Sequence, residues 1–148
     1  MRFFTRAWAT GERTDEDFEA APEAYRAHLA ALDLPPPLVA LADADLHDGQ
    51  VLDVNLSGGR LSVRLRVGDL QHGYADLRLD YLDASLGSGS FAALEAARDS
   101  EAEVLYAEVD RAGSRFEHRV LLWPEGGVAV TFADVRVAST PVASRAAL

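Results

Sequence analysis

Outward from Gly58-Gly59 the chain carries the same hydropathy pattern in both directions. Two glycines supply the positive φ that a two-residue hairpin turn demands. A turn there sets Leu56 against Leu61, Val54 against Val63 and Leu52 against Leu65 on one face. On the other face Asp53 meets Arg64 and Asn55 meets Ser62. A slip of one residue would send every leucine to the wrong side, so the agreement of both faces specifies a pairing and not merely strand content. A third strand, Tyr74 to Leu82, alternates Ala75, Leu77, Leu79 and Tyr81 with Asp76, Arg78 and Asp80; the connection from Gly68 to Gly73 is too long to set its register.

A second set of three strands is expected further on. A hairpin closed at Ala112-Gly113 places Asp110 opposite Arg115, Val109 opposite Phe116 and Leu105 opposite Val120, with one unfavourable pair, Glu108 facing Glu117. A hairpin closed at Gly126-Gly127 then brings Trp123 to Val130, Leu121 to Phe132, Arg119 to Asp134 and Glu117 to Arg136. Pro124, which lacks a ladder donor, falls at a strand end. These strands are apolar on both faces, so helices, the first strand set or a partner chain must cover each.

The cover is expected from N-terminal helices. After Met1 to Thr10, read as an aromatic stretch that can form an extra strand, Thr14-Asp15-Glu16-Asp17 has the form of a helix start with Thr14 as N-cap. Phe18, Ala21, Tyr25, Leu29 and Leu32 recur at helical spacing, with Pro22 expected to open a second helix running to about Leu32. Pro35-Pro36-Pro37 precedes a shorter helix from Leu38 to Ala42, and Ser90 caps a helix from Phe91 to Arg98. The fold class is α+β: N-terminal helices packed on an antiparallel sheet built from two three-stranded meanders, with a short helix between them. A single domain is expected, residues 1–148, with a mainly helical segment over 1–45, a sheet segment over 50–138 and a flexible tail over 139–148.

Composition narrows the functional classes. The net charge is −10 and no basic block exists, which excludes a phosphate-neutralising nucleic-acid surface. All basic residues are arginine, and lysine and isoleucine are absent, the usage of a GC-rich bacterial genome. The absence of cysteine removes disulfides, thiol nucleophiles and thiolate metal sites, which fits a cytoplasmic protein. No apolar run approaches the roughly 18 residues of a membrane span, so no membrane association is expected.

Two groups of residues carry possible chemistry. Asp43-Ala44-Asp45-Leu46-His47-Asp48-Gly49 offers oxygen and imidazole ligands, His47 and Asp48 foremost, but its spacing matches no zinc or calcium loop. The alternative is an ordinary turn in which Asp45 or Asp48 bonds local amides and His47 bonds a neighbouring strand. On the later strands, Glu108, Glu117 and Arg119, with Tyr106, Asp134 and Arg136 beside them, form either a general acid/base pair in a ligand cleft or a salt-bridge network at the wet end of the sheet. His118 falls on the opposite face and reads as a half-buried structural histidine. No phosphate-binding glycine loop or serine nucleophile elbow is present, and no cofactor is expected.

The opening Met1-Arg2-Phe3-Phe4-Thr5-Arg6-Ala7-Trp8, the Leu46-His47-Asp48 element and Val104-Leu105-Tyr106-Ala107-Glu108-Val109 with the Trp-Pro hairpin after it resemble a group of small uncharacterised bacterial proteins. Some similarly patterned domains are similar to immunity proteins that neutralise toxins of competing bacteria. The resemblance implies no catalytic residue. The functional expectation is a non-enzymatic protein-binding or interaction module, its partner another protein or a second copy of itself as a homodimer. The alternatives are a small ligand-binding protein or enzyme using the carboxylate and arginine cluster, and a toxin-immunity-like protein.

Overall fold

The computed structural model describes residues 1–12 and 15–147. Thr14, the expected N-cap, and Leu148 lie outside the described residues. The class is α+β. The helices are α1 (Arg6–Ala9), α2 (Asp15–Leu32), α3 (Pro36–Asp43) and α4 (Ser90–Arg98). The strands are β1 (Gln50–Ser57), β2 (Arg60–Asp69), β3 (Gly73–Leu82), β4 (Ser85–Leu86), β5 (Glu103–Ala112), β6 (Arg115–Trp123), β7 (Gly127–Phe132) and β8 (Asp134–Val142). They form one sheet in the order β4-β7-β6-β5-β1-β2-β3-β8, every pairing antiparallel.

The first hairpin pairs as its turn dictates from Ser57 and Arg60 as far as Asp53 and Arg64. Beyond that, Leu52 does not meet Leu65. A bulge gives the place to Val51, which turns inward with Val54.

The second hairpin corrects the expected register by two residues. Ala112 pairs with Arg115, so the turn is Gly113-Ser114; Glu108 faces Arg119 and Asp110 faces Glu117, and the Glu108–Glu117 pair does not form. A shift of two leaves every side chain on its own face, so hydropathy cannot detect it.

The last expected strand is two strands. β7 pairs with β6 from Phe116 and Phe132 to Leu121 and Gly127, closed by a longer loop rather than a Gly126-Gly127 turn. The chain then steps through Ala133 into β8, which pairs with β3 and places Asp134 opposite Leu82 and Arg136 opposite Asp80. The expected Arg119–Asp134 and Glu117–Arg136 pairs are therefore replaced.

That step shapes the molecule. β7 and β8 stand near opposite ends of the strand order yet are one residue apart in sequence, and consecutive Cα atoms are about 3.8 Å apart. The sheet must roll until its far strands meet, and the Ala133 N–H donates to the Leu82 carbonyl at 3.0 Å. On the other side the seam is narrow, since β1 and β5 pair only through Gln50 and Glu103. The halves β1-β2-β3-β8 and β4-β7-β6-β5 thus enclose one apolar interior, with Leu61, Leu79, Val135, Val104, Val109 and Phe132 all nearly inaccessible. α3 touches β5 and β8 while α4 touches β1 and β7, so each helix bridges the halves.

Local chemistry explains the helices. Pro35 is the N-cap of α3 and Pro36 follows it, a position where fixed φ helps and the missing amide costs nothing. α4 takes Gly89, at φ +77°, as its N-cap instead of Ser90, whose hydroxyl accepts the Ala129 N–H and ties the helix to β7. Pro22 lies inside α2 and does not divide it. Phe18 packs on Trp8, and Tyr25 packs on Phe3 and Phe4, so contacts on both sides of the proline hold one helix. Met1 to Thr10 forms no strand; it contains α1, capped by the Thr5 hydroxyl, and lies against β5 and β6. The segment expected as a flexible tail from 139 is paired through Val142. Beyond it, the carbonyls of Arg145 and Ala147 accept from the buried Arg66 guanidinium, and Arg145 bonds Glu103.

Candidate functional site

Strand alternation places Tyr106, Glu108 and Asp110 of β5 and Glu117 and Arg119 of β6 on the outward face of their half. The expected cluster of Glu108, Glu117 and Arg119 does assemble. Arg119 lies 3.2 Å from Glu108 Oε2, 3.0 Å from Asp110 Oδ2 and 3.0 Å from Glu117 Oε1. Glu108 is fully buried because the N-terminal segment roofs it. Its Oε1 accepts the backbone N–H groups of Phe3 and Phe4 at 2.7 Å each, and its Oε2 accepts that of Arg2 at 2.8 Å. These amides and Arg119 occupy the acceptor sites that a carboxylate has. Asp110 is pushed up by partial burial, yet His28 at 2.9 Å, the Arg111 amide and Arg119 hold it below the ordinary carboxylate range. Asp134 and Arg136 do not join this group, being on β8 beside β3.

The Asp-Leu-His-Asp-Gly turn docks on the edge of β5. Asp48 has φ +58°, and a Cβ on Gly49 would meet the Leu46 carbonyl oxygen at 2.8 Å, so glycine is required there. Asp45 Oδ1 accepts the His47 amide at 3.2 Å, and the Asp48 amide donates to the Val104 carbonyl at 2.8 Å. A β5 bulge at Leu105 frees that residue's carbonyl, which accepts from His47 Nδ1 at 2.6 Å. His47 Nε2 stands 3.4 Å from Asp48. Among the described residues no group of three His, Cys, Asp or Glu side chains is placed to hold a metal ion.

Between this turn, α3 and the β5 edge lies a cleft of about 180 Å³. Leu41, Leu46 and Leu105 give it apolar walls, Asp45, His47 and Tyr106 line it as well, and Tyr25 and His118 bring two further polar groups. It exists because β5 runs past β1 with a single residue pair between them, leaving the β5 edge to side chains. Tyr106 forms a wall common to two regions, 5.3 Å from the His47 ring on one side and 5.1 Å and 4.8 Å from Phe4 and Trp8 on the other. The Tyr25 hydroxyl accepts the Val109 N–H at 2.7 Å, and burial pushes its pKa up to about 12, so it keeps its own hydrogen.

His118 is the group that sequence reasoning placed on the correct face but undervalued. It is 1% exposed, fully and not half buried, and its Nδ1 lies 2.7 Å from the Tyr81 hydroxyl across the interior. Burial lowers its pKa to about 4 and raises that of Tyr81, so both are neutral at pH 7. Tyr81 lies among leucines and valines with no other acceptor for its hydrogen. A donated Nδ1–H would strand that hydrogen, so Tyr81 donates to Nδ1 and Nε2 carries the imidazole proton. The available signal was a lone histidine on an otherwise apolar strand face, matched by a lone tyrosine hydroxyl on the inward face of β3. Comparison with protein-family models, curated proteins and solved structures finds no match.

Proposed function

We propose that this chain is a non-enzymatic binding protein and that its ligand seat is the cleft between α3, the His47 turn and the β5 edge. The observation that carries the reading is convergence. Tyr25 from α2, His47 from a loop, Tyr106 from β5 and His118 from β6 reach one concave apolar site. Glu108, the strongest catalytic candidate by sequence, supports a binding role because its acceptor sites are taken by backbone amides and Arg119. The test is to map amide shifts of the labelled protein against a set of single-ring compounds. Perturbation concentrated at residues 44–47 and 105–109 is expected; saturable perturbation confined to other surfaces would reject the site.

A protein partner is the second reading, favoured by the outward face of β2 and β3. Arg64 and Arg78 face each other directly, both more than half exposed, an arrangement of like charges that an incoming carboxylate would relieve. A toxin-neutralising role or pairing with a second copy belongs to this reading. Light scattering across a concentration series, repeated for Arg64→Glu, reports whether copies associate through this face. Among the described residues no helix is long and apolar enough to cross a membrane.

A further inference from the structure

The polar groups of the cleft differ in sign and position in ways that select a ligand. His118 hydrogen-bonds through Nδ1 alone, to Tyr81, and lines the cleft. Its Nε2–H is therefore a fixed donor without a protein acceptor. Tyr25 is a second donor, since its oxygen already accepts from Val109. His47 is turned the other way: Leu105 offers a carbonyl, which can only accept, so His47 Nδ1 bears the proton. No arginine lines the cleft, while Asp45 lines it and Asp48 adjoins His47, so an anion meets two carboxylates and no guanidinium. The volume, about 180 Å³, is slightly above the roughly 150 Å³ that accommodates one benzene ring.

We infer that the cleft takes a neutral, single-ring molecule bearing a carbonyl-type acceptor, which receives the His118 Nε2–H with Tyr25 as the neighbouring donor. This rests on the reading of the cleft as the ligand seat. The ring replaces solvent against Leu41, Leu46 and Leu105, and the acceptor answers a donor that no protein group accepts. A hydrocarbon of the same shape leaves that donor unmet. A carboxylate brings negative charge to a site lined by Asp45 and by no arginine.

The test uses the full chain, isotopically labelled at histidine nitrogen, titrated with acetophenone, ethylbenzene and benzoate. The free protein is expected to show His118 as the Nε2–H tautomer, and acetophenone to shift that resonance saturably with an affinity about tenfold above the other two. Tyr25→Phe should weaken acetophenone severalfold more than it weakens ethylbenzene. Equal affinity for acetophenone and ethylbenzene would overturn the acceptor preference while leaving the cleft a seat, and tightest binding of benzoate would overturn neutrality. No shift at residues 44–47 or 105–109 with any of the rings would sink both the ligand class and the cleft. Should Tyr25→Phe fail to fold, the three compounds on the unaltered chain still decide.

Discussion

On β1-β2-β3-β8 the outward side chains are mainly arginine and aspartate, paired with one another along and across the strands. On β5 and β6 the outward carboxylates are roofed by the chain's own N-terminal segment. Asp80 illustrates the first solution: nearly buried itself, it is surrounded by Ser62, Arg60 and Arg78, of which Arg60 is half-buried and Arg78 more than half exposed. Glu108 illustrates the second, fully buried and gripping main-chain amides. A charge in an open ladder is replaceable because solvent can take over its partners, whereas a charge under a roof is the reason the roof stays in place.

The sharpest way to break this contrast is Glu108→Ala, which leaves three amides without an acceptor and Arg119 short of one partner. A loss of about 3 to 5 kcal/mol is expected, with Trp8 fluorescence moving toward that of a solvated indole as the segment detaches. Asp80→Ala in the open half should cost about 1 to 3 kcal/mol by denaturant unfolding without moving Trp8. If the two variants behave alike, the distinction between roofed and open charges fails.

The interior that both halves enclose gives the next largest effect. The unfolded chain protonates His118 near pH 6.5, but the native chain does so only near pH 4 because burial opposes it. Between these values the unfolded state binds more protons, so the contribution is complete above about 6.5 and is lost as pH falls toward 4. The loss amounts to about 3 kcal/mol over the window. Unfolding of His118→Phe followed across that pH range should show a visibly shallower slope. Tyr81→Phe removes the donor to Nδ1 and should cost about 1 to 2 kcal/mol at pH 7 by thermal denaturation. At the small end, Arg64→Thr is expected to change stability by less than about 0.5 kcal/mol, since Asp76 keeps its bond to Arg66 and the opposed Arg78 loses a repulsive neighbour.

What the sequence disclosed follows from what side-chain alternation encodes. The Gly58-Gly59 hairpin was legible because turn chemistry, hydropathy and charge agreed on one register as far as Asp53. The second hairpin differs by two residues from the expectation because such a shift preserves faces, and charge does not decide it either: each register pairs one acid with an arginine and sets one against Glu117, Glu108 in the expected register and Asp110 in the observed one. The transfer of residues 134–142 to β3 was invisible, since nothing in a strand's own pattern names a distant neighbour. In the site, the meeting of Glu108, Glu117 and Arg119 was readable from strand parity. Its use was not, because the groups that occupy Glu108 are backbone amides, which every residue but proline carries alike. The Tyr81–His118 bond joins residues 37 positions apart, on strands that meet only because the sheet rolls.

The grip of Glu108 on residues 2 to 4 also orders the making of the molecule. These contacts span 104 to 106 residues, so at common synthesis rates the aromatic segment waits roughly 5 to 20 seconds before its anchor has been translated. Phe3, Phe4 and Trp8 spend that interval without their partners on β5. Residues 2 to 4 are thus seated only after β5 has been made, and any factor that shields nascent aromatic segments acts here on a delay set by the position of one carboxylate.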